Sequence, residues 1–287
     1  MESAQLLADR YQVKSRLNRG VAEVVWRAHD LRLRRDVAIK EIEPRPRNGA
    51  GPREARRRAL REARSAGRLS HPAIITVHDL VEEAGRLWIV TELVEGLSLR
   101  DTVLHVGPLP PRWAAWIGFQ LLGALRHAHG LGVFHESLSP ATILLTGNRV
   151  LLSEFGLASI GRDAGTALAL TSAPAFIAPE RFQGEVPTAA ADLWSFGASL
   201  YHAVEGCPPF PGADVVTVLS GMMAAGPRPP VKSGPLWPVL EGLLQRDPAR
   251  RFTVEQASAV VGELLREAGI SVEPHRLPSV PPSAFTT

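Results

Sequence analysis

The sequence predicts an α+β chain in two lobes, a small antiparallel-sheet lobe with one main helix followed by a larger helical lobe. Three observations carry that reading. Short apolar runs of strand length fill the stretch from Tyr11 to Val94. A single helical pattern interrupts them after Pro52, and beyond Gly96 apolar residues recur at helical spacing.

The strand-like runs are Val24-Val25-Trp26, Val37-Ala38-Ile39, Ile74-Ile75-Thr76-Val77 and Leu87-Trp88-Ile89-Val90, each bounded by charged or turn-forming residues. The interrupting helix is expected from Pro52 to about Leu69, because Ala55, Ala59, Ala63 and Ala66 fall on one face. Pro110-Pro111 opens the first helix of the second lobe, running through Trp113, Trp116, Ile117, Leu121 and Leu125 to about His129-Gly130. A strand pair, Thr142 to Leu145 and Arg149 to Leu152, is joined by a Gly147-Asn148 turn. Further helices are expected over Ala190 to Val204, Ala213 to Ala225, Pro235 to Leu244 and Val254 to Ala268. The boundaries read as 1–94 for the small lobe, 95–270 for the large one and 271–287 for a Pro/Ser-rich flexible tail or the start of a linker. A longer, membrane-anchored parent stays open at this point.

Composition narrows the classes. With 287 residues, 45% of them apolar, the chain can bury a large core, and nothing in it resembles a disordered or fibrous protein. Cys207 is the only cysteine, so an intrachain disulfide and a cysteine-rich metal site are excluded and a reducing, cytoplasmic setting is expected. The start, MESAQLLADR, lacks the basic and apolar regions of a secretory signal. Ala114 to Leu125, the most apolar helical stretch, is shorter than the ~20 residues of a membrane span. The net charge is only +3, so no nucleic-acid footprint is expected. Between Arg45 and Arg68, however, nine arginines face only Glu54 and Glu62. That run could attract acidic partners, phosphorylated peptides or headgroups; the reading favoured here is a solvated helix whose arginine stems cover apolar surface.

Several short motifs occur in a telling order. Val37-Ala38-Ile39-Lys40 is followed by His135-Glu136-Ser137-Leu138, Phe155-Gly156, Ala178-Pro179-Glu180, Asp192-Leu193-Trp194-Ser195-Phe196-Gly197 and Asp247-Pro248-Ala249-Arg250-Arg251. Over roughly residues 10 to 268 the chain resembles the bacterial eukaryotic-like Ser/Thr protein kinases, through V-A-I-K, the catalytic loop H-R-D-L-x-x-x-N, D-F-G, A-P-E, D-x-W-S-x-G and D-P-x-x-R. The resemblance implies the bilobal protein-kinase-like fold.

It also implies roles. Lys40 would hold the α- and β-phosphates of ATP and pair with Glu62. Adenine would lie between Leu17, Val25, Ala38 and Leu144, bonded to the hinge backbone from Glu92 to Val94, with Thr91 as gatekeeper. The same apolar residues serve equally as interlobe core. Of the glycines in G-x-G-x-x-G-x-V only Gly20 is present, and Glu23 would add bulk and negative charge beside the phosphates. His135, Phe155, Gly156, Glu180, Asp192 and Arg251 would hold the scaffold, with Glu180 paired to Arg251 and Asp192 bracing the loop near His135.

The working positions depart from the family pattern. Ser137 stands where the proton-accepting Asp belongs, Ser139 where a Lys contacts the transferred group, Thr142 where Asn holds magnesium, and Glu154 where the D-F-G Asp does. Glu136 replaces the arginine that pairs with activation-segment phosphate, and Ser172-Ala173 replaces Gly-Thr. These departures lead to the expectation of a pseudokinase: an allosteric or scaffolding module, not an enzyme, with impaired or metal-independent ATP binding. ATP is the implied cofactor, and magnesium or manganese is not expected. The partners would be proteins, such as an active kinase or a phosphopeptide-recognition domain reading Thr166, Thr171, Ser279, Ser283, Thr286 or Thr287. The alternative is a weak or atypical ATP-dependent Ser/Thr kinase, or another nucleotide-using transferase, with Glu154 serving the metal.

Overall fold

The computed structural model describes residues 6–17, 24–42, 51–147, 149–155, 174–224 and 226–270. The glycine-loop positions around Gly20, Gly156, the hydroxyls Thr166, Thr171 and Ser172, and the tail after 270 lie outside the described residues.

The small lobe is built from β1 (Leu6–Leu7), β2 (Tyr11–Arg16), β3 (Val25–Asp30), β4 (Arg35–Ile42), α1 (Pro52–Ala66), β5 (Val77–Glu83) and β6 (Arg86–Glu92). Its strands form one antiparallel sheet in the order β1-β2-β3-β4-β6-β5. Side chains alternate across a strand, so the sheet has two apolar faces. Val37, Ile39 and Val90 pack with Tyr11 and Leu7 on one. Ile42, Leu87 and Ile89 meet Ala59 and Ala63 of α1 on the other. Alanine is the strongest helix former and its short side chain lets α1 lie close to the strands; Pro52 at the first turn fits the helix start. The Ile74 run is not a strand: Ile74 makes a single parallel bridge to Leu152, and the strand is Val77–Glu83. The carbonyl of Leu152 accepts from Ile75 N at 2.9 Å while its N–H donates to Ala73 O, so this segment is spent joining the lobes.

Arg10, in the turn between β1 and β2, grips Asp30 at the end of β3 with Nε at 2.9 Å and Nη2 at 2.7 Å, and reaches Asp79 of β5 with Nη1 at 2.9 Å. The Tyr11 hydroxyl donates to Asp79 at 2.7 Å. Asp30 is fully buried, and the Arg10 hydrogen bonds hold its carboxyl down to about 2.

The large lobe continues with β7 (Leu97–Ser98), α2 (Leu99–Val106), α3 (Pro111–Gly130), β8 (Ile143–Leu145), β9 (Val150–Leu152), α4 (Pro179–Phe182), α5 (Ala189–Glu205), α6 (Val215–Ala224), α7 (Trp237–Leu243) and α8 (Val254–Glu267). A second sheet has the order β7-β8-β9. The core gathers around α3 and α5, with Leu121, Leu125, Trp194 and Phe196 among its buried members. The Trp194 ring stacks on Phe210 at 5.5 Å between centroids. A Cβ on Gly197 would stand 2.7 Å from Leu243 Cβ, which is why α5 and α7 approach so closely there. Ser98 caps α2 by accepting from Asp101 N, a start signal that the apolar pattern alone does not display. Thr253 and Gln256 cap α8 reciprocally. Among the described residues no helix is long and apolar enough to cross a membrane.

Candidate active site

The site forms where β4, β6, β8 and the loop after α3 converge. The register pairs Lys40 with Val25 and Ile89, and Ala38 with Thr91. Residues opposite one another share a face, and so do residues two apart, so Val25, Ala38, Lys40 and Thr91 project from the same side of the sheet. Leu17 is held next to them by its N–H donating to Val25 O at 2.8 Å. Leu17 is exposed and Val25 and Leu144 are half-buried, whereas Ala38 is nearly enclosed. The chain leaves the sheet at Glu92, and among the described residues no hydrogen bond engages the Val94 backbone. The Glu92 backbone, by contrast, is engaged, its N–H donating to Thr76 O and its carbonyl accepting from Thr91 Oγ1.

Lys40 Nζ lies 2.6 Å from Glu154 Oε1, and both side chains are half-buried. Glu154 adopts a left-handed backbone, φ 66°, which is uncommon for a residue with a Cβ. On α1, Glu62 sits 3.7 Å from Arg58 Nε. A partner of Lys40 is thus the carboxylate in the D-F-G position.

The loop from His135 to Thr142 is fixed from below. Asp192, in the first turn of α5, accepts from His135 N at 2.8 Å and from Glu136 N at 2.9 Å, and His129 Nε2 lies 2.8 Å from the same carboxylate. His129 was not singled out in the sequence, where it reads as a helix-end residue; only its distance from the loop once folded reveals it. Glu136 also has a left-handed backbone, φ 67°. His135 is fully buried with its ring 4.7 Å from that of Phe155, and burial pushes its imidazole pKa down. The Thr142 hydroxyl accepts from Ser139 N and donates to Ser139 O, both at 3.1 Å, so it closes the loop upon itself. Ser153 N and Oγ both donate to Thr142 O. Ser137 Oγ is shielded from solvent and has no hydrogen-bond partner among the described residues.

Two ion pairs secure the frame. Arg251 Nη1 meets Glu180 Oε1 at 2.6 Å and Nη2 meets Oε2 at 3.1 Å, both residues buried, while the same guanidinium donates to the carbonyls of Gln245 and Ala190. Glu92 pairs with Arg149 at 2.8 Å and accepts from Thr76 N at 2.9 Å. Burial alone would raise the Glu92 pKa, but these hydrogen bonds outweigh it and the group is held below its usual value.

Among the described residues no three His, Cys, Asp or Glu side chains group as a self-sufficient metal site. Magnesium commonly needs only one or two carboxylates when phosphates supply the rest, and Glu154 fits that lesser demand. The Thr142 hydroxyl, engaged with Ser139, does not.

The comparisons agree with this geometry. The family described as protein kinase domain matches residues 11–260. The chain is 34% identical over 267 residues to the serine/threonine-protein kinase PkaA of Streptomyces coelicolor, covering 87% of this chain and 49% of that protein. It is 34% identical over 280 residues to the serine/threonine-protein kinase PknB of Mycolicibacterium smegmatis, covering 93% of this chain and 44% of the relative. The chain thus spans about half the length of the curated relatives it matches. A solved structure of Rad53 1-466 in complex with AMP-PNP superposes with a TM-score of 0.69 at 23% identity, covering 87% of this chain and 64% of that one. The chain belongs to the protein kinase family and has its fold, an antiparallel-sheet lobe on a helical lobe; its relatives are bacterial Ser/Thr kinases.

That membership corrects the expectation of a protein that is not an enzyme, since the relatives are named as Ser/Thr protein kinases, which are enzymes. The physical reason is one of degree. Loss of a general base costs about 10²–10⁴-fold, whereas phosphoryl transfer rests mainly on positioning and electrostatic stabilisation. Replacing Asp by Ser137 therefore predicts a slower reaction, not its absence.

Proposed function

We propose that this chain is an atypical ATP-dependent Ser/Thr protein kinase domain that transfers phosphate slowly to a protein hydroxyl. The supporting observation is the Lys40–Glu154 pair at 2.6 Å, which sets a phosphate-binding cation beside a carboxylate below the hinge. In this reading Leu17, Val25, Ala38 and Leu144 enclose the adenine, and the Val94 backbone bonds its edge. Lys40 turns from Glu154 to the phosphate oxygens, so the cation gains a new anion and the carboxylate is released. Glu154 would hold a divalent ion, which when bound neutralises phosphate charge. Asp192 keeps the catalytic-loop backbone in place through His135 and Glu136. Ser137, a hydroxyl where the family pattern has a carboxylate, removes no proton at neutral pH, so the proton departs without base assistance.

The partner in the reaction is a protein substrate. Ser/Thr specificity is carried over from the named relatives. The test is incorporation of label from γ-labelled radioactive ATP, with magnesium or manganese, by the purified chain and by Lys40→Met and Glu154→Ala. Label above the level of both variants supports the reading. Equal incorporation by all three proteins sinks it.

A further inference from the structure

The outer face of α1 is a line of positive charge. At 3.6 residues per turn, Arg53, Arg57, Arg61 and Arg64 fall within an arc of about 80°, and Arg68 follows in the turn beyond the helix. All five are exposed, and none pairs with a carboxylate among the described residues. Their neighbours differ: Arg56 pairs with Glu82, and Arg58 with Glu62. Buried Ala55, Ala59, Ala63 and Ala66 lie on the opposite side, so the arginine face is not the one that α1 packs on the sheet. Like charges three and four residues apart repel, and Arg53 in the first turn opposes the helix dipole. Glu54 in the first turn and Arg64 in the last suit the dipole, but Arg53, Arg57, Arg61 and Arg64 still repel one another, with no carboxylate paired to them among the described residues.

We infer that this face docks an acidic protein segment, bearing carboxylates or phosphates, laid along α1. The complementarity is linear. The stripe is one helix wide and runs about 22 Å for 15 residues. Carboxylates border it at Glu54 and Glu82. A duplex or an anionic bilayer meets a broad basic surface, and a bilayer also takes up apolar or aromatic groups beside the cations. The outer face of α1 offers neither. A helical acidic segment repeats charge every turn of about 5.4 Å, and an extended one on one face every two residues, about 6.7 Å, both close to the spacing of the stripe. Because Glu62 projects from the inner side of the same helix, the docked segment would bear on the element beside the cleft. The inference does not depend on turnover.

The probe is a fluorescent 15-residue poly-glutamate peptide, with a phosphoserine-rich peptide as the second arm, titrated with the full chain and read by anisotropy. Saturable binding is expected, weakening steeply between about 50 and 200 mM salt. The triple variant Arg57→Ala/Arg61→Ala/Arg64→Ala should lose at least about tenfold in affinity, while Arg250→Ala/Arg266→Ala on the other lobe should change nothing. The melting temperature of the triple variant should equal or exceed that of the parent; a fall of several degrees would mean that these side chains serve the fold and would overturn the inference. Undiminished binding by the triple variant, or no binding of either peptide at low salt, would also overturn it. So would tighter binding to phosphatidylserine vesicles or duplex DNA through the same arginines.

Discussion

Arg149 and Glu92 fasten the turn between β8 and β9 to the hinge. Nη1 lies 2.8 Å from Oε2 and Nη2 3.3 Å from Oε1, and Nη2 also reaches Pro72 O at 3.3 Å. The carboxylate simultaneously accepts from Thr76 N. One ion pair thus ties three segments at the point where the nucleobase is proposed to bind. Arg149→Ala should widen the range of lobe orientations and raise KM for ATP several-fold, with a smaller change in kcat. Its cost in stability should be about 1 kcal/mol, because Arg149 is too exposed for more. Steady-state kinetics and urea unfolding measure both. A large drop in stability without a change in KM would show the pair to be purely structural.

Asp30 predicts how the small lobe responds to acid. Its folded pKa of about 2 lies below its ordinary 3.8, so the stabilisation is complete above about pH 4 and disappears as pH falls through 2. For this fully buried carboxylate the linkage amounts to about 2 kcal/mol. Asp30→Asn should flatten the pH dependence of unfolding free energy across that window. An unchanged slope would mean that the Arg10 pairing contributes nothing.

The buried pair of Glu180 and Arg251 is a different case, because water does not reach either partner. Removing one charge strands the other, so Glu180→Ala should cost about 3–5 kcal/mol in denaturant unfolding. Arg251→Lys should not rescue. A single ammonium cannot span both carboxylate oxygens and still donate to the carbonyls of Gln245 and Ala190. Wild-type stability in the lysine variant would refute the bidentate account.

The fold was legible where periodicity is long. The alanine face of α1 and the apolar stripe of α3 announced their helices to within a few residues. Short elements were not: α2 starts at a serine cap rather than an apolar pattern, and the Ile74 run, apolar enough for a strand, is used to bridge the lobes. At the site, motif order pointed to a Glu180–Arg251 pair, to Asp192 bracing the loop near His135 and to Lys40 paired with Glu62. It could not show the ion pair of Lys40 with Glu154, since two residues 114 positions apart leave no local trace of their contact. Nor could it find His129, whose bond to Asp192 exists only after α3 and α5 pack. The departures at Ser137 and Thr142 were read as loss of activity because each was weighed as a missing group. In the structure Thr142 has a task of its own, closing the loop with Ser139, and the loop backbone stays braced.

The same reasoning gives the most direct prediction about chemistry. If slow transfer reflects the missing proton acceptor alone, then Ser137→Asp should restore it. The residue follows Glu136, whose N–H is anchored on Asp192, so the backbone that would carry the new carboxylate is already fixed. Ser137 Oγ has no hydrogen-bond partner among the described residues, and the substitution therefore breaks no described contact. A general base contributes about 10²–10⁴-fold, and the variant should gain within that range in kcat for label transfer, with KM for ATP little changed. The gain should vanish when Lys40→Met is added. Should Ser137→Asp fold normally and still transfer no faster, the limit would lie elsewhere, and Glu154→Asp, which shortens the carboxylate by one methylene, would then be the change expected to raise the rate.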